Sequence, residues 1–199
     1  MLVLLPPLVL LFRFRSWATV LLALAAVAVL GTVVWNVSPG VRERVTQVAQ
    51  ELQALTEHDD FRGSASVRMR MYQEAVSATA ERPLLGHGVG SWGDHWVRAS
   101  APFPEMAVLR NPHNDYLLIA METGVPGLAL MLGLLAWFVA AHWRARNTPG
   151  GVGFVLAWTV IITAMVNAPL RDAGLGMSML WLMAAATTGP WTATRRHGT

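Results

Sequence analysis

The sequence of 199 residues is 54% hydrophobic and 14% charged, with a mean hydropathy of +0.42. Soluble domains carry roughly a quarter of charged residues, so this composition excludes an ordinary soluble domain and indicates a membrane protein. The formal net charge of +3 is small, which disfavours nucleic acid as a partner. Because the chain has no cysteine, disulfides and thiolate metal sites are excluded.

The first apolar runs predict one incomplete and one complete membrane helix. Residues 1–12 are uncharged, but as a helix they would reach only about 18 Å, against a hydrocarbon core of about 30 Å. We interpret them as the end of a membrane helix whose beginning is missing. Residues 17–37 form an uncharged run of full spanning length. A signal sequence is the alternative, which the length of this run disfavours.

Three more apolar runs lie between residues 122 and 144, 146 and 171, and 172 and 195. Each is long enough to cross a bilayer. If the spans alternate, three pairs of arginines lie on one side, which the positive-inside rule makes cytoplasmic. These arginines are Arg13, Arg15, Arg144, Arg146, Arg195 and Arg196.

The predicted fold is therefore an all-α membrane protein. It is a polytopic bundle of about four full transmembrane helices with a truncated first one and a helical periplasmic loop region. We expect the truncated helix and one span in residues 1–37, the periplasmic helices in 38–115, three spans in 116–190 and a cytoplasmic tail in 191–199.

The loop region begins with an amphipathic pattern. Apolar residues recur at intervals of three and four from Val41 to Leu55, which predicts a helix lying on the membrane surface or on the protein's own spans. His58, Asp59 and Asp60 follow it. We interpret them as a solvated turn, because consecutive side chains diverge and no partner spacing supports a metal site.

A second helix is predicted from about residue 64 to 81, and it contains two arginines in different settings. Arg70 has Glu74 four residues later, an ordinary surface pair. Arg68 instead shares its face with Met71 and Tyr72 and lacks a local partner. Its side chain either snorkels from apolar surface to water or awaits an anion such as phosphate. Spacing alone leaves both open.

The helix ends at Pro83, and three glycines follow at 86, 88 and 90. Glycine permits positive φ and close backbone approach, but the run lacks the strand and lysine of a nucleotide loop. His87 and His95, with Trp92 and Trp96, can line a sugar site. Packing at the bilayer interface is the alternative that we favour for the tryptophans.

The segment from Asn111 to Gly127 is a polar cluster at the start of an apolar run. Asn111 is a good N-cap and Pro112 suits the first helical position, so His113 should lie in the first turn. A helix start binds anions and disfavours an imidazolium, which suits a general base beside a phosphate. A histidine that only caps or hydrogen-bonds is the alternative.

Farther along this segment, Asp115 and Glu122 share a helix face, while Glu122 lies about half a turn from His113. Glu122 should therefore bond to another helix or to backbone near a kink at Gly124 to Gly127. Gly127 and Gly133 also permit close helix packing. Beyond the next run, Arg171 either closes the site or pairs with Asp172, which we favour slightly.

These residues match two motifs of one family. His113, Asn114, Gly124 and Gly127 resemble the signature of the O-antigen ligase and polymerase superfamily of envelope glycosyltransferases. Arg68, Tyr72 and the Pro-Leu-Leu-Gly turn at 83–86 resemble its arginine-bearing periplasmic helix and the turn after it. The two motifs stand in the family's order, and the chain corresponds to the carboxyl-terminal half of a usual member.

The resemblance implies an inverting glycosyltransferase that needs no metal or other cofactor. It implies transfer of a glycan from undecaprenyl pyrophosphate to an acceptor hydroxyl at the periplasmic face of the bacterial inner membrane, with His113 as base and Arg68 stabilising the pyrophosphate. Substrate contacts are expected from Asn114, Tyr72, His87 and Arg171. The acceptor is lipid A core in a ligase, a growing chain in a polymerase or a protein serine in an oligosaccharyltransferase. A truncated, non-catalytic membrane protein with this fold is the alternative of another class.

Overall fold

The computed structural model describes residues 17–109, 111–144 and 148–192, and all regular elements in these ranges are helical. The predicted truncated helix at residues 1–12 lies outside them, as do most of the arginines used to orient the chain. One 3-10 helix, Pro104–Val108, accompanies seven α-helices. These are α1 (Trp17–Val37), α2 (Pro39–His58), α3 (Ser64–Glu81), α4 (Trp92–Ala99), α5 (Asp115–Arg144), α6 (Thr148–Val166) and α7 (Ala173–Thr192).

One described helix, Asp115–Trp143, is by itself long and apolar enough to cross a membrane. Leu24–Val37 and Pro39–His58 reach that standard only as a pair, and the pair is bent by 92°. The apolar parts of α6 and α7 are shorter, Val152–Val166 and Gly176–Ala186. The predicted all-helical class is therefore confirmed, while a bundle of about four spans stays a prediction.

Helix α3 has the predicted bounds, and α2 is amphipathic as expected. Leu55 near the end of α2 is buried, whereas Val41 and Val45 at its start are exposed. The carboxylate of Glu51 accepts a hydrogen bond from the backbone N–H of Ala65 (2.6 Å), which satisfies a free donor in the first turn of α3. This hydrogen bond joins α2 to the start of α3.

Two tryptophans of α4 lie in the core between the helices. Trp92 and Trp96 are fully buried and stacked on each other at 5.9 Å, and the indole N–H of Trp96 donates to the carbonyl of Met106 (2.9 Å). Phe61 packs edge-on against Trp96. The bilayer-interface interpretation is therefore wrong for both tryptophans. Their spacing of four residues places both rings on one face of α4, and tertiary packing turns that face toward α3.

The predicted kink in α5 is confirmed at Gly124, whose φ is 75° and ψ is −178°. The break, together with Pro126, which has no N–H, would leave backbone groups without helical partners. The turn that follows α3 satisfies them. The N–H groups of His87 and Gly88 donate to the carbonyls of Met121 and Glu122 (both 2.9 Å), and Val125 N–H donates to Pro83 O (2.7 Å).

Glycines make this docking possible from both sides. Gly86 has a φ of +65°, and a Cβ there would lie 2.5 Å from the carbonyl carbon of Glu122. A Cβ on Gly124 would lie 2.7 Å from that of Leu84. The glycine turn and the broken helix are thus two halves of one backbone contact.

Close packing of the later helices occurs at another glycine than expected. A Cβ on Gly133 would meet nothing within 4 Å, and one on Gly127 would meet Thr123 of the same helix. The close approach is at Gly153 of α6, where a Cβ would collide with the ring of His142. His142 is buried between α5 and α6 because Gly153 leaves room for its ring.

Candidate active site

The start of α5 differs from the expected one by three residues. The helix begins at Asp115, and Asn114 is its cap, because its side-chain oxygen accepts from Leu117 N–H (3.1 Å). His113 lies before the helix with a φ of 55°, in the left-handed region. The expectation that Asn111 caps the helix and that His113 lies in its first turn is therefore wrong. A residue in the left-handed region cannot be part of a right-handed α-helix, so α5 begins only after His113.

His113 is held by contacts from three parts of the chain. Its N–H donates to the side-chain oxygen of Asn111 (2.8 Å), and its carbonyl accepts from the hydroxyl of Tyr72 on α3 (3.3 Å). Its ring Nδ1 lies 3.3 Å from the side-chain oxygen of Asn167, which directly follows α6. Positive φ at a non-glycine residue is uncommon and costs free energy, so it is retained where surrounding contacts impose it.

Sequence reasoning did not identify Asn167. It is the first polar residue after the apolar run of α6, and that position in a short turn was its only signal. Its partner lies 54 residues earlier in the chain, so no local spacing connects the two.

Arg68 and His113 line one cleft of about 430 Å³, together with Asn167. Its other walls are Thr163, Val166, Pro169 and Met179. The Arg68 side chain is exposed, and it has no ion pair within the part of the chain that the structure describes. The structure thus brings the predicted base and the predicted anion-binding residue to the same cavity.

The second arginine of α3 is engaged elsewhere. Arg70 forms an ion pair with Asp59 (3.3 Å), and its guanidinium lies over the ring of Phe61 (5.8 Å). The predicted pairing with Glu74 is therefore wrong, because the turn after α2 brings a carboxylate and an aromatic face to Arg70. Within the described residues, Arg70 thus has an ion-pair partner from the preceding turn, and Arg68 has none.

That turn is the solvated one expected from the sequence. Asp59 ends α2 in the left-handed conformation, and the carboxylate of Asp60 pairs with Arg62 (2.7 Å). Hydrogen bonds from the side chain and backbone of Arg62 lower the pKa of Asp60 to about 2. Asp59 and Asp60 thus form ion pairs with Arg70 and Arg62.

Both the oxygen and the NH₂ group of the Asn114 side chain form hydrogen bonds. Its oxygen caps α5, and its NH₂ donates to the carbonyl of Met165 in α6 (3.1 Å). Tyr72 contacts the backbone of His113. Asn114 therefore connects α5 to α6, and Tyr72 connects α3 to His113. Direct contact with substrate stays a prediction for each.

His87 does not line the cleft with Arg68 and His113. Its Nε2 donates to the carbonyl of Ala78 in the last turn of α3 (2.8 Å), and its ring packs at 4.4 Å from that of His95. Burial, then the nearby His87 and Arg98, lower the pKa of His95. A sugar-binding role for His87 stays a prediction, at a place separate from the cleft.

Two carboxylates of α5 clamp the turn between α6 and α7. The side chain of Asp115 accepts from Leu170 N–H (3.0 Å), and Glu122 pairs with Arg171 (3.0 Å). The shared face of Asp115 and Glu122 is thus confirmed. The expectation that Glu122 bonds to another helix or to backbone is wrong for its carboxylate, because the side chain of Arg171 reaches it from the turn. Arg171 takes its partner from α5, while the carboxylate of Asp172 accepts from Gly174 N–H.

An apolar groove of about 600 Å³ lies on the other side of this turn, between α5, α6 and α7. Its walls are almost entirely apolar, with Leu134 and Phe138 of α5, Val160 of α6 and Leu180 of α7 among them. Leu170 lines the groove, and the preceding residue, Pro169, lines the cleft. The cleft that contains Arg68 and His113 and the apolar groove therefore both adjoin the same clamped turn.

A comparison with protein-family models identifies a family to which the chain is similar. The family model described as O-antigen ligase matches residues 1–132. This range includes Arg68 with the Pro-Leu-Leu-Gly turn at 83–86, and His113 with Gly124 and Gly127. No curated protein matches the chain.

Proposed function

The chain belongs to the O-antigen ligase family, and from that premise we propose that its cleft transfers a glycan from undecaprenyl pyrophosphate to an acceptor hydroxyl. The family is membrane-associated, and the long apolar helix of α5 fits that setting. The observation that carries the proposal is that Arg68 of α3 and His113, which lies just before α5, line one cleft. We place the reaction at the periplasmic face of the inner membrane.

His113 acts as the general base. The acceptor oxygen attacks the anomeric carbon while its proton passes to the imidazole of His113. The bond from the anomeric carbon to the pyrophosphate oxygen breaks, and its electron pair leaves with undecaprenyl pyrophosphate. Attack from the side opposite the leaving group inverts the anomeric centre. A base placed in this way contributes about 10²–10⁴ to the rate.

Arg68 stabilises the departing pyrophosphate. Its guanidinium is unpaired within the described residues and adjoins the cleft, and a planar guanidinium binds phosphate oxygens through two parallel hydrogen bonds. Charge that develops on the leaving group in the transition state is then met by a donor already in place. The apolar groove beyond the clamped turn fits the isoprenoid chain of the donor, because it offers almost no polar surface.

The reaction as proposed needs no metal or other cofactor, because proton removal and charge stabilisation come from side chains. The acceptor divides the family into lipopolysaccharide ligases, polymerases and protein oligosaccharyltransferases. We propose the ligase-type transfer for this chain, because the matching family model is described as O-antigen ligase.

Replacement of single residues in the native host membrane tests the proposal. His113→Ala and Arg68→Ala should lower glycan transfer by about 10²-fold or more, while protein abundance in the membrane stays near normal. Arg70→Ala and His58→Ala are the controls and should retain transfer. The measurement is glycan-modified acceptor against unmodified acceptor, with and without a chelator. Wild-type transfer by His113→Ala would end its assignment as base.

A further inference from the structure

The side chain of His113 has two ring nitrogens, and only one has a partner within the described residues. Nδ1 lies 3.3 Å from the side-chain oxygen of Asn167. The N–H and carbonyl of His113 are bonded to Asn111 and Tyr72, so the residue is restrained on three sides. Its Nε2 is the remaining polar group.

The orientation of the Asn167 amide is set by a second contact. The same side-chain oxygen accepts from the backbone N–H of Ala168 (3.0 Å). A reversed amide would place NH₂ against that N–H, two donors facing each other, so the oxygen must lie there. An amide oxygen can only accept, and therefore Nδ1 of His113 must be the donor.

We infer that Asn167 is a positioning residue that holds neutral His113 in the Nδ1–H tautomer and leaves the lone pair on Nε2. The hydrogen bond at one ring nitrogen decides which nitrogen carries the proton. Neutral histidine in water favours the opposite, Nε2–H form. Without Asn167 the proton would therefore reside mainly on the nitrogen that a base at this position has to keep free.

The surrounding contacts keep Asn167 at its place beside Nδ1 of His113. Asn114, next to His113, donates to the carbonyl of Met165 (3.1 Å), and Asp115 accepts from Leu170 N–H (3.0 Å). These bonds tie the chain on both sides of Asn167 to the two residues that follow His113. Small displacements of a catalytic group are costly in rate, and this double attachment limits them.

The inference rests on the proposed function for its catalytic meaning, but the tautomer can be measured without any turnover. The protein, labelled with ¹⁵N-histidine and placed in lipid nanodiscs, is studied by long-range ¹H–¹⁵N correlation at about pH 9, above the ordinary histidine pKa of about 6.5. The chain has six histidines, and the signal of His113 is assigned by its loss in His113→Gln.

We expect the pattern of the Nδ1–H tautomer in the wild type and in Asn167→Asp, whose carboxylate keeps the acceptor. Asn167→Ala should shift His113 to mainly Nε2–H. Met179→Ala is the matched control, because Met179 lines the same cleft without contacting the imidazole nitrogens, and it should leave the pattern unchanged. An Nε2–H majority in the wild type, or an unchanged pattern in Asn167→Ala, would overturn the inference.

Glycan transfer separates this inference from the proposed function. Asn167→Ala should lower kcat about tenfold or more with KM nearly unchanged, and Asn167→Asp should restore most of it. If His113→Ala transfers glycan normally while the wild type shows Nδ1–H, the proposed function fails and the tautomer assignment stands. If kcat depends on His113 but the tautomer is Nε2–H, the assignment of Asn167 fails alone.

Discussion

At the scale of single residues, the site depends on positions whose neighbours leave them little freedom. His113 is held in a left-handed conformation by its contacts with Asn111, Tyr72 and Asn167. Gly86 and Gly124 are held in positive φ by a backbone contact that no side chain could fit. At His113 an unfavourable backbone conformation is offset by contacts from distant parts of the chain, whereas glycine adopts positive φ at little cost.

Gly86→Ala and Gly124→Ala should destabilise the protein strongly. An L-residue in the left-handed region costs about 1–2 kcal/mol, and the added Cβ would also push the turn after α3 away from α5. Gly133→Ala is the control in the same helix, because a Cβ there meets nothing. It should be neutral or stabilise by up to about 1 kcal/mol. Thermal unfolding in detergent micelles measures all three, and equal stabilities would contradict the docked-backbone description.

At the scale of elements, the turn between α6 and α7 is fixed by α5. The carboxylate of Glu122 is only 9% exposed and that of Asp115 is buried, so their partners, Arg171 and the N–H of Leu170, hold the turn against the helix. Because Asn167 belongs to this turn, its position beside His113 depends on the side chains of Asp115 and Glu122 that hold the turn.

A double-mutant cycle on Glu122→Gln and Arg171→Met should give a coupling energy of about 1 kcal/mol. The coupling energy should be no larger because the Arg171 side chain is 37% exposed, so water screens its charge. The control cycle uses Asp60→Asn and Arg62→Met, a pair on the exposed turn, whose coupling should be smaller. The measurement is chemical unfolding of the four proteins of each cycle. A coupling of zero between Glu122 and Arg171 would contradict the clamp.

Helix α2 presents an apolar surface that the described protein leaves uncovered. Val41 and Val45 are exposed, and the guanidinium of Arg42 donates to the carbonyls of Trp35 and Asn36 at the end of α1. Since α1 and α2 meet at 92°, an α1 that crosses the membrane would leave α2 lying along its surface. Amphipathic helices bind at this boundary with their apolar face toward the acyl chains.

We therefore predict that a fluorophore on Val45→Cys is quenched by brominated lipid in proteoliposomes. The same fluorophore on Gln50→Cys, which is exposed on the opposite face of α2, should be quenched by aqueous iodide instead. Quenching of the Val45 probe by iodide would place the helix in water. Protection of that probe from both quenchers would mean that protein covers it.

At the scale of the whole molecule, the remaining prediction is the orientation of the chain. The positive-inside distribution of arginines predicts that α2 to α4 face the periplasm and that the connection before α6 faces the cytoplasm. The helix Asp115–Trp143 joins these two regions and is apolar enough to span the bilayer.

Cysteine labelling tests this orientation against a clean background, because the chain has no cysteine of its own. In intact spheroplasts, Gln53→Cys should react with an impermeant maleimide, since position 53 is exposed on α2. Thr148→Cys should react only after the membrane is permeabilised. The reverse pattern would invert the topology and place the cleft on the cytoplasmic side.

The sequence by itself determined those features that depend on short stretches of chain. Apolar periodicity located the amphipathic α2, the predicted bounds of α3 agree with the structure, and Gly124 with Pro126 located the break in α5. These are local effects of sterics and backbone hydrogen bonding, so neighbouring residues suffice to predict them. The two family motifs likewise identified Arg68 and His113 as candidates.

Only the tertiary structure decided which distant groups meet. The partnership of His113 with Asn167, the choice of Asp59 over Glu74 by Arg70, and the burial of Trp92 and Trp96 depend on helices far apart in the chain. A single polar residue after an apolar run has no periodic pattern, and its partner is selected by packing of whole helices. The backbone groups released at the α5 break were likewise matched by a turn that no local pattern associates with it.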